Sequence, residues 1–164
     1  MMNRLMGCFL VWALGPIMAF AVDVGPLDAD TAALTGGNLV VELDHRDFTE
    51  TTTNTAQTVQ LFEVDATMGV ELVAMFLPRA FEETGNAAHN SSSITVGDGS
   101  DPDRFLTATE LNVNGTEVNL KYGTTTQLVY TSSDTVDLVI TPSAADSVDE
   151  LNKGKIKFYF KLLR

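Results

Sequence analysis

The chemically most promising residues in this sequence are three carboxylates in one short stretch. Asp98, Asp101 and Asp103 lie within Gly97-Asp98-Gly99-Ser100-Asp101-Pro102-Asp103. Carboxylate oxygens suit Ca²⁺, a hard cation, but the stretch lacks the ligand spacing of an EF-hand loop. Asp, Gly, Ser and Pro in succession also favour a tight turn. We therefore interpret the stretch as a rigid turn and keep calcium binding by the three aspartates as the alternative.

Residues of other catalytic and metal-binding chemistries are sparse. His45 and His89 are far apart in the sequence and fit no metal-binding spacing. Cys8, the single cysteine, lies in an apolar run, where a thiol is not activated. We find neither a GxSxG motif nor a glycine-rich phosphate loop. The sequence thus predicts no catalytic, cofactor-binding or metal-binding residue, no cofactor, and a protein that is not an enzyme.

The charge of the chain is strongly negative and unevenly distributed. Its 164 residues include 22 acidic and 10 basic ones, for a net charge of −12. This balance argues against a nucleic-acid partner, because phosphate binding needs clustered lysine and arginine. The last 14 residues, 151–164, contain five of the basic residues and no acidic one. We expect this terminus to face the chain's own acidic surface or an acidic partner, or to be a lysine-rich strand that resists aggregation.

The N-terminal segment, residues 1–22, is the most apolar part of the chain. Arg4 precedes an uncharged run, Leu5–Val22, that ends in Ala19-Phe20-Ala21-Val22. A basic residue, an apolar stretch and small residues at the end are typical of a secretory signal peptide cleaved after Ala21. The alternative is a retained apolar arm that is buried against other subunits of an assembly.

The rest of the chain consists of short β-like runs separated by turn residues. We predict a linker over 23–37 and a single β-sandwich domain over 38–164. The most apolar run of this domain, Val70–Leu77, should be a central strand that ends at Pro78. The polar stretches Glu82–Ser93 and Asp98–Asp103 are predicted as loops.

A single short helix is predicted in this domain. It should span Ala144–Leu151, with Ser143 as its N-cap and Gly154 shortly after its end.

The last strand has the clearest pattern in the sequence. Its apolar and polar residues alternate, with Ile156, Phe158, Phe160 and Leu162 on one face and Lys155, Lys157, Tyr159 and Lys161 on the other. This period of two is typical of a strand with one face in the core and one in water. About eight such strands with almost no helix predict an all-β fold, an antiparallel β-sandwich of the jelly-roll type.

One segment of the domain carries a family resemblance. Ser93-Ile94-Thr95-Val96-Gly97-Asp98-Gly99-Ser100-Asp101-Pro102-Asp103-Arg104-Phe105-Leu106 resembles a segment of capsid decoration (cement) and related head-surface proteins of tailed bacteriophages. Similarity in pattern extends over about residues 39–164, through Gln57–Phe62, Val70–Leu77 and Leu151–Phe160. The apolar N-terminus departs from the family pattern.

The resemblance implies a virion structural protein without catalytic activity. Its expected location is the outer surface of a phage capsid, as a homotrimer bound to the major capsid protein or to other virion subunits. The basic last strand or the apolar N-terminal segment would contact the shell.

The alternative function is that of an exported binding module, periplasmic or extracellular. The chain would interact with a membrane only if its N-terminal segment is an export signal. Sugar sites on β-sandwiches usually use exposed aromatic side chains. Beyond residue 21 the sequence has no tryptophan and only three tyrosines, Tyr122, Tyr130 and Tyr159. This scarcity favours the virion interpretation.

Overall fold

The computed structural model describes residues 23–26, 37–83, 91–112, 120–122, 127–143 and 146–164. Two single-turn 3₁₀ helices, His45–Asp47 and Val148–Glu150, connect strands. Within these residues no helix is long and apolar enough to cross a membrane. The strands are, in chain order, β1 (Asp23–Pro26), β2 (Leu39–Asp44), β3 (Gln57–Val64), β4 (Gly69–Glu82), β5 (Ser91–Asp98), β6 (Asp101–Asn112), β7 (Leu120–Tyr122), β8 (Leu128–Val129), β9 (Asp134–Pro142) and β10 (Lys153–Leu163).

The strands form two antiparallel sheets that pack face to face. The first sheet has the order β1-β2-β10-β4-β7, with β8 also paired to β4, and the second has the order β3-β9-β5-β6. The chain crosses repeatedly between the sheets, so that β2, β4 and β10 lie in the first while β3, β5 and β9 lie in the second. This is the strand order of a jelly roll. The predicted all-β sandwich is confirmed.

Strand β10 is central to the first sheet and to the core. It lies between β2 and β4, with Phe158 paired to both Val41 and Met75. The side chains of Ile156, Phe158 and Phe160 are fully buried, and the lysines lie on the opposite face. The predicted alternation of this strand is confirmed.

Strand β4 extends further than the sequence pattern predicts. It continues past Pro78 to Glu82, whereas the prediction ended it at that proline. Between Lys155–Arg79 and Lys157–Phe76, two steps along β10 match three steps along β4. Pro78 therefore lies within a β-bulge, where a missing backbone N–H is tolerated.

Both predicted polar loops are shorter than expected. Ser91–Ser93, predicted as loop, begin β5 and pair with β6 and β9. In the second stretch, Asp98 pairs with Asp101, which leaves Gly99 and Ser100 as a two-residue turn. These polar residues become part of the strands because their neighbours Ile94 and Val96 are fully buried and hold β5 in register with β6 and β9.

The predicted helix over Ala144–Leu151 is wrong: the described part of this segment has one 3₁₀ turn, Val148–Glu150. The predicted N-cap Ser143 instead donates its hydroxyl to the Asp146 carboxylate, 2.6 Å away. The Asp146 carbonyl accepts the backbone N–H of Asn54 at 2.8 Å, so it is used outside any helix. A helix this short gains too few internal hydrogen bonds to offset the free energy of nucleation. The bonds made by the Ser143 hydroxyl and the Asp146 carbonyl compete with it further.

The first four residues of the predicted linker form a strand. Strand β1 pairs with β2 from Asp23–Glu42 to Pro26–Leu39 and forms one edge of the first sheet. The alternating pattern of four residues is too short to reveal a strand by sequence. Strand β2 offers backbone N–H and C=O groups on the side away from β10, and residues 23–26 pair with these groups. The rest of the predicted domain division remains a prediction.

Candidate functional site

The Gly97–Asp103 stretch contains the two-residue turn of the β5–β6 hairpin and the strand ends on either side of it. The carboxylate of Asp98 accepts hydrogen bonds at Oδ1 from the backbone N–H groups of Ser100 and Asp101, both at 2.9 Å. An aspartate carboxylate that accepts the backbone N–H groups two and three residues ahead takes the place of a backbone carbonyl and stabilises the turn. The stretch is therefore a rigid turn, built around Asp98.

Two side chains from outside the turn complete the shell around Asp98. Arg104 donates from Nε to Oδ2 at 2.7 Å, and the hydroxyl of Tyr130 donates to the same oxygen at 3.3 Å. Asp98 is only 3% exposed. A buried carboxylate with a charged partner and several donors is fully satisfied.

The surroundings of Asp98 set its ionisation. Burial raises the pKa of this carboxyl, but the hydrogen bonds from Arg104, Ser100 and Asp101 outweigh burial and leave the pKa below its usual value. Burial and the negative charge of Asp98 both raise the pKa of Tyr130. At neutral pH the site thus holds an ionised aspartate, its arginine and a neutral tyrosine. It holds no group poised to exchange a proton.

The three aspartates do not converge on a common point for a metal. Asp103 is exposed, and Asp101 lies 3.9 Å from Arg104 through its carboxylate. The described residues contain no group of three or more His, Cys, Asp or Glu side chains that could hold a metal ion. A calcium ion at Asp98 would have to displace the arginine, so this geometry favours the turn interpretation.

Gly97 allows the hairpin to close. A Cβ atom at this position would lie 2.0 Å from the carbonyl oxygen of Asp101 and 2.5 Å from the carbonyl carbon of Pro102. Real Cβ atoms do not approach backbone atoms so closely, so a side chain here would separate the two strands. By contrast, a Cβ at Gly99 would meet nothing within 4 Å.

The charged cluster after β2 has a local structural role. Asp44 caps the 3₁₀ helix by accepting the backbone N–H of Arg46 at 2.8 Å, and its carboxylate also binds the guanidinium of Arg46. This contact lowers the pKa of Asp44 to about 2. His45 lies 4.0 Å from Asp44.

Some of the residues singled out in the sequence lie outside the part of the chain that the structure describes. They are His89, Cys8, the Leu5–Val22 run and residues 27–36 of the predicted linker.

The lysines of β10 bind acids of the chain's own surface. Lys157 reaches Glu42 at 2.8 Å, Lys155 binds the other carboxylate oxygen of Glu42, and Lys153 reaches Glu82 at 2.6 Å. The hydrogen bonds from Lys155 and Lys157 lower the pKa of Glu42. Two of the roles predicted for the basic terminus are seen together: the lysines lie on the solvent face of strand β10, and these three bind acids of the chain's own surface. Because β10 lies between β2 and β4, protection of an open sheet edge is not the reason for its lysines.

Sequence reasoning identified Asp98 but missed its partners. Arg104 is the only cation within six residues of Asp98, and that proximity was the available signal. Tyr130 is 32 residues away along the chain and reaches Asp98 only because the turn before β9 lies at the same end of the sandwich.

The comparisons with known proteins give distant structural likenesses only. No family model matches the chain, and no curated protein matches it. It is similar to a chain in the acidic stable capsid structure of Helicobacter pylori bacteriophage KHP30 (13% identity, TM-score 0.44, 76% of this chain and 86% of that one). It is also similar to a chain in the capsid asymmetric unit of cyanophage Pam1 (16% identity, TM-score 0.46, 92% and 89%). A third likeness is to infectious bursal disease virus, strain Gx (11% identity, TM-score 0.33, 93% and 36%).

Proposed function

We propose that the chain is a virion structural protein, a decoration subunit that binds and stabilises the outer surface of a phage head without catalysis. The observation that carries this proposal is the Ser93–Leu106 hairpin. The segment with the family resemblance is also the segment in which Asp98, Arg104 and Gly97 hold a rigid turn. Its charged residues support the shape of the protein, as expected in a subunit whose role is mechanical.

The filled interior supports a role performed at the outer surface. Jelly rolls occur in viral capsid proteins, lectins and cupins, so the fold alone does not choose among them. Here the space between the sheets is occupied by fully buried aromatic rings, those of Phe81, Phe105, Phe158 and Phe160. A packed core of this kind leaves the surface as the place for a partner.

The outer face of the second sheet suits contact with solvent. Exposed Thr58, Gln60 and Thr141 lie on this face, and β3, β5 and β9 contain no lysine or arginine. Hydroxyl and amide side chains keep a surface soluble without an apolar patch. This face would point away from the shell.

The proposed partners are the major capsid protein or other virion subunits. Many copies on a lattice gain avidity, so each contact can be weak. Because Lys153, Lys155 and Lys157 bind acids of their own chain, residues 5–22 become the first segment to test as the shell contact. The homotrimer implied by the resemblance remains a prediction to be measured.

The test is to locate the chain in purified particles of the phage that encodes it. An antibody raised against the full chain should label intact heads in immunogold electron microscopy, and mass spectrometry should find the chain in gradient-purified particles. Label only on disrupted particles would place the chain inside and overturn the decoration role. Absence from particles would overturn the virion role altogether.

The intact mass of the native protein separates this proposal from the exported module. A mass that retains residues 2–21 would support an arm buried in an assembly. A mass beginning at Val22 would establish processing by export and transfer the proposal to a periplasmic or extracellular binding module.

A further inference from the structure

The exposed apolar side chains of the described residues lie at one end of the first sheet. Val129 is 58% exposed and Leu163 is 36% exposed, and among the described residues these are the large hydrophobic side chains left open to solvent. Both pair with Gly69, one from β8 and one from β10, so they stand in one row on the outer side of the sheet. We call Val129 and Leu163 the apolar row.

A groove opens on the inner side of the sheet at the same end. The packed core ends where the ring of Phe62 meets the ring of Phe160 edge-on, with 4.9 Å between the centroids. Leu39, which pairs with Phe160, and Leu162, the next inward residue of β10, are only partly buried against this core. The end groove that they form has a volume of about 430 Å³ and is lined by Asn38, Leu39, Leu162 and Arg164.

Hydrogen bonds from Asn38 fix the shape of the end groove. Its side-chain amide donates to the carbonyl oxygen of Leu162 and accepts the backbone N–H of the same residue, both at 2.8 Å. The backbone N–H of Asn38 donates to the carbonyl oxygen of Phe160, also at 2.8 Å. The start of β2 is thereby held against the end of β10. A groove that is formed in advance binds a partner at a lower cost in conformational entropy.

The apolar row and the end groove lie on opposite sides of one sheet, so Val129 cannot fill the groove of its own molecule. A contact between two different patches on two copies is head-to-tail, and it generates a ring when the rotation closes, whereas a two-fold contact joins the same patch on both copies. We propose that the apolar row of one copy occupies the end groove of the next copy. The inference rests on the proposed function, because the homotrimer expected there is a closed ring of this kind.

Exposed residues of opposite charge lie beside the two patches. Arg164 on the rim of the end groove makes no ion pair with another described residue. Beside the apolar row, the backbone N–H of Tyr130 donates to Met68, and the N–H of Met68 donates to Asp65, which is exposed. Entry of the apolar row into the groove would bring Asp65 of one copy towards Arg164 of the next. This pairing opposes the repulsion between two chains that each carry a charge of −12.

The experiment is sedimentation equilibrium of the full chain, for which we expect three times the chain mass of 17.7 kDa. Val129→Lys should weaken each contact about a hundredfold, because an ammonium group would enter an apolar groove beside Arg164. The matched control is Thr58→Lys, which makes the same change of charge at an exposed position of the second sheet. It should leave the trimer unchanged.

A charge exchange tests the direction of the contact. Arg164→Glu should weaken each contact about tenfold, since it then faces Asp65 with the same charge. Arg164→Glu combined with Asp65→Arg should restore the trimer, because the two charges again attract each other. Far-UV circular dichroism of every variant should match the parent chain, which separates a lost contact from a lost fold.

Three results would overturn the inference. They are a mass other than that of three chains, a trimer that Val129→Lys leaves unchanged, and a charge exchange that does not restore the trimer. A groove filled by a segment of its own chain would give one of these results. None of them alters the labelling of particles, so the inference fails or holds separately from the location of the chain on the phage head.

Discussion

Arg104 donates from Nε to the buried carboxylate of Asp98 across 2.7 Å, and this ion pair fixes the turn between β5 and β6. Asp98 is 3% exposed, whereas the side chain of Arg104 is 23% exposed. The arginine thus covers the aspartate from the solvent side. Its charge compensates a carboxylate that would otherwise be buried alone.

Replacing Arg104 by methionine should destabilise the protein strongly. Loss of one partner of a buried ion pair costs about 3 kcal/mol, because the other charge stays desolvated and unpaired. The free energy of unfolding in urea measures this loss. The matched control is Arg46→Met, which removes an arginine–aspartate pair whose arginine is 78% exposed and should leave stability essentially unchanged. Equal effects of the two substitutions would contradict the role assigned to Asp98.

Gly97→Ala should destabilise the fold and Gly99→Ala should not. The new methyl group at residue 97 would clash with the backbone of Asp101 and Pro102, at 2.0 and 2.5 Å. These backbone atoms belong to β6 and cannot move without it. Forcing them apart costs about 1–3 kcal/mol. At residue 99 the methyl group would enter open space. Thermal melting of both variants compares the two sites, and a tolerated alanine at residue 97 would refute the close approach.

Two acids at the same end of the second sheet should respond to pH with opposite signs. Burial raises the pKa of Asp137, aided by the charges of Asp134 and Asp98 and opposed by a bond from Thr135. The favourable contribution of Asp137 is complete below its unfolded pKa of about 3.8 and is lost as the pH rises through the folded value. Asp137→Asn should therefore raise the urea midpoint at neutral pH and lose this advantage in acid.

Asp98→Asn is the counterpart with the reverse sign. The folded pKa of Asp98 is depressed, so its contribution is present above the unfolded pKa and is lost as the pH falls through the folded value. Asparagine at residue 98 should lower the midpoint at neutral pH, and the difference should shrink in acid. If both variants raised the midpoint at neutral pH, burial rather than the bonds from Arg104, Ser100 and Asp101 would control Asp98.

Chelation of calcium should leave the melting temperature unchanged. A bound ion stabilises the folded state in proportion to the logarithm of its free concentration, so its removal would lower the midpoint. Asp98 already satisfies its charge through Arg104, and Asp103 points to solvent. Melting curves with EDTA and with excess CaCl₂ check this. A midpoint that falls with EDTA and recovers with calcium would reinstate the metal alternative.

Deletion of residues 153–164 should unfold the protein. Strand β10 pairs with β2 and β4, and it supplies Ile156, Phe158 and Phe160 to the core. Its removal exposes both neighbouring strands and opens the interior. Deletion of Arg164 alone is the control and should be neutral, because that residue is exposed. A soluble, folded truncation would show that the strand is an appendage.

Local patterns were sufficient for the strands whose core side chains alternate without interruption. The alternation in Ile156–Leu162 predicted both the buried face of β10 and its lysine face, because side chains on a strand repeat with a period of two. The series of short β-like runs separated by turn residues likewise predicted an all-β sandwich, and the succession of Asp, Gly, Ser and Pro predicted the turn within Gly97–Asp103. In each case the determining interactions join residues a few positions apart.

Long-range pairing decided the features that the sequence could not predict. Pro78 stays within β4 because the bulge opposite Lys155 and Lys157 removes the need for its N–H. Residues 146–151, the described part of the predicted helix, form only one 3₁₀ turn, since Asn54 takes the carbonyl of Asp146. Tyr130 meets Asp98, and Lys155 meets Glu42, across 32 and 113 residues of chain. Such contacts depend on which strands become neighbours, and in a jelly roll those neighbours are mostly distant in sequence.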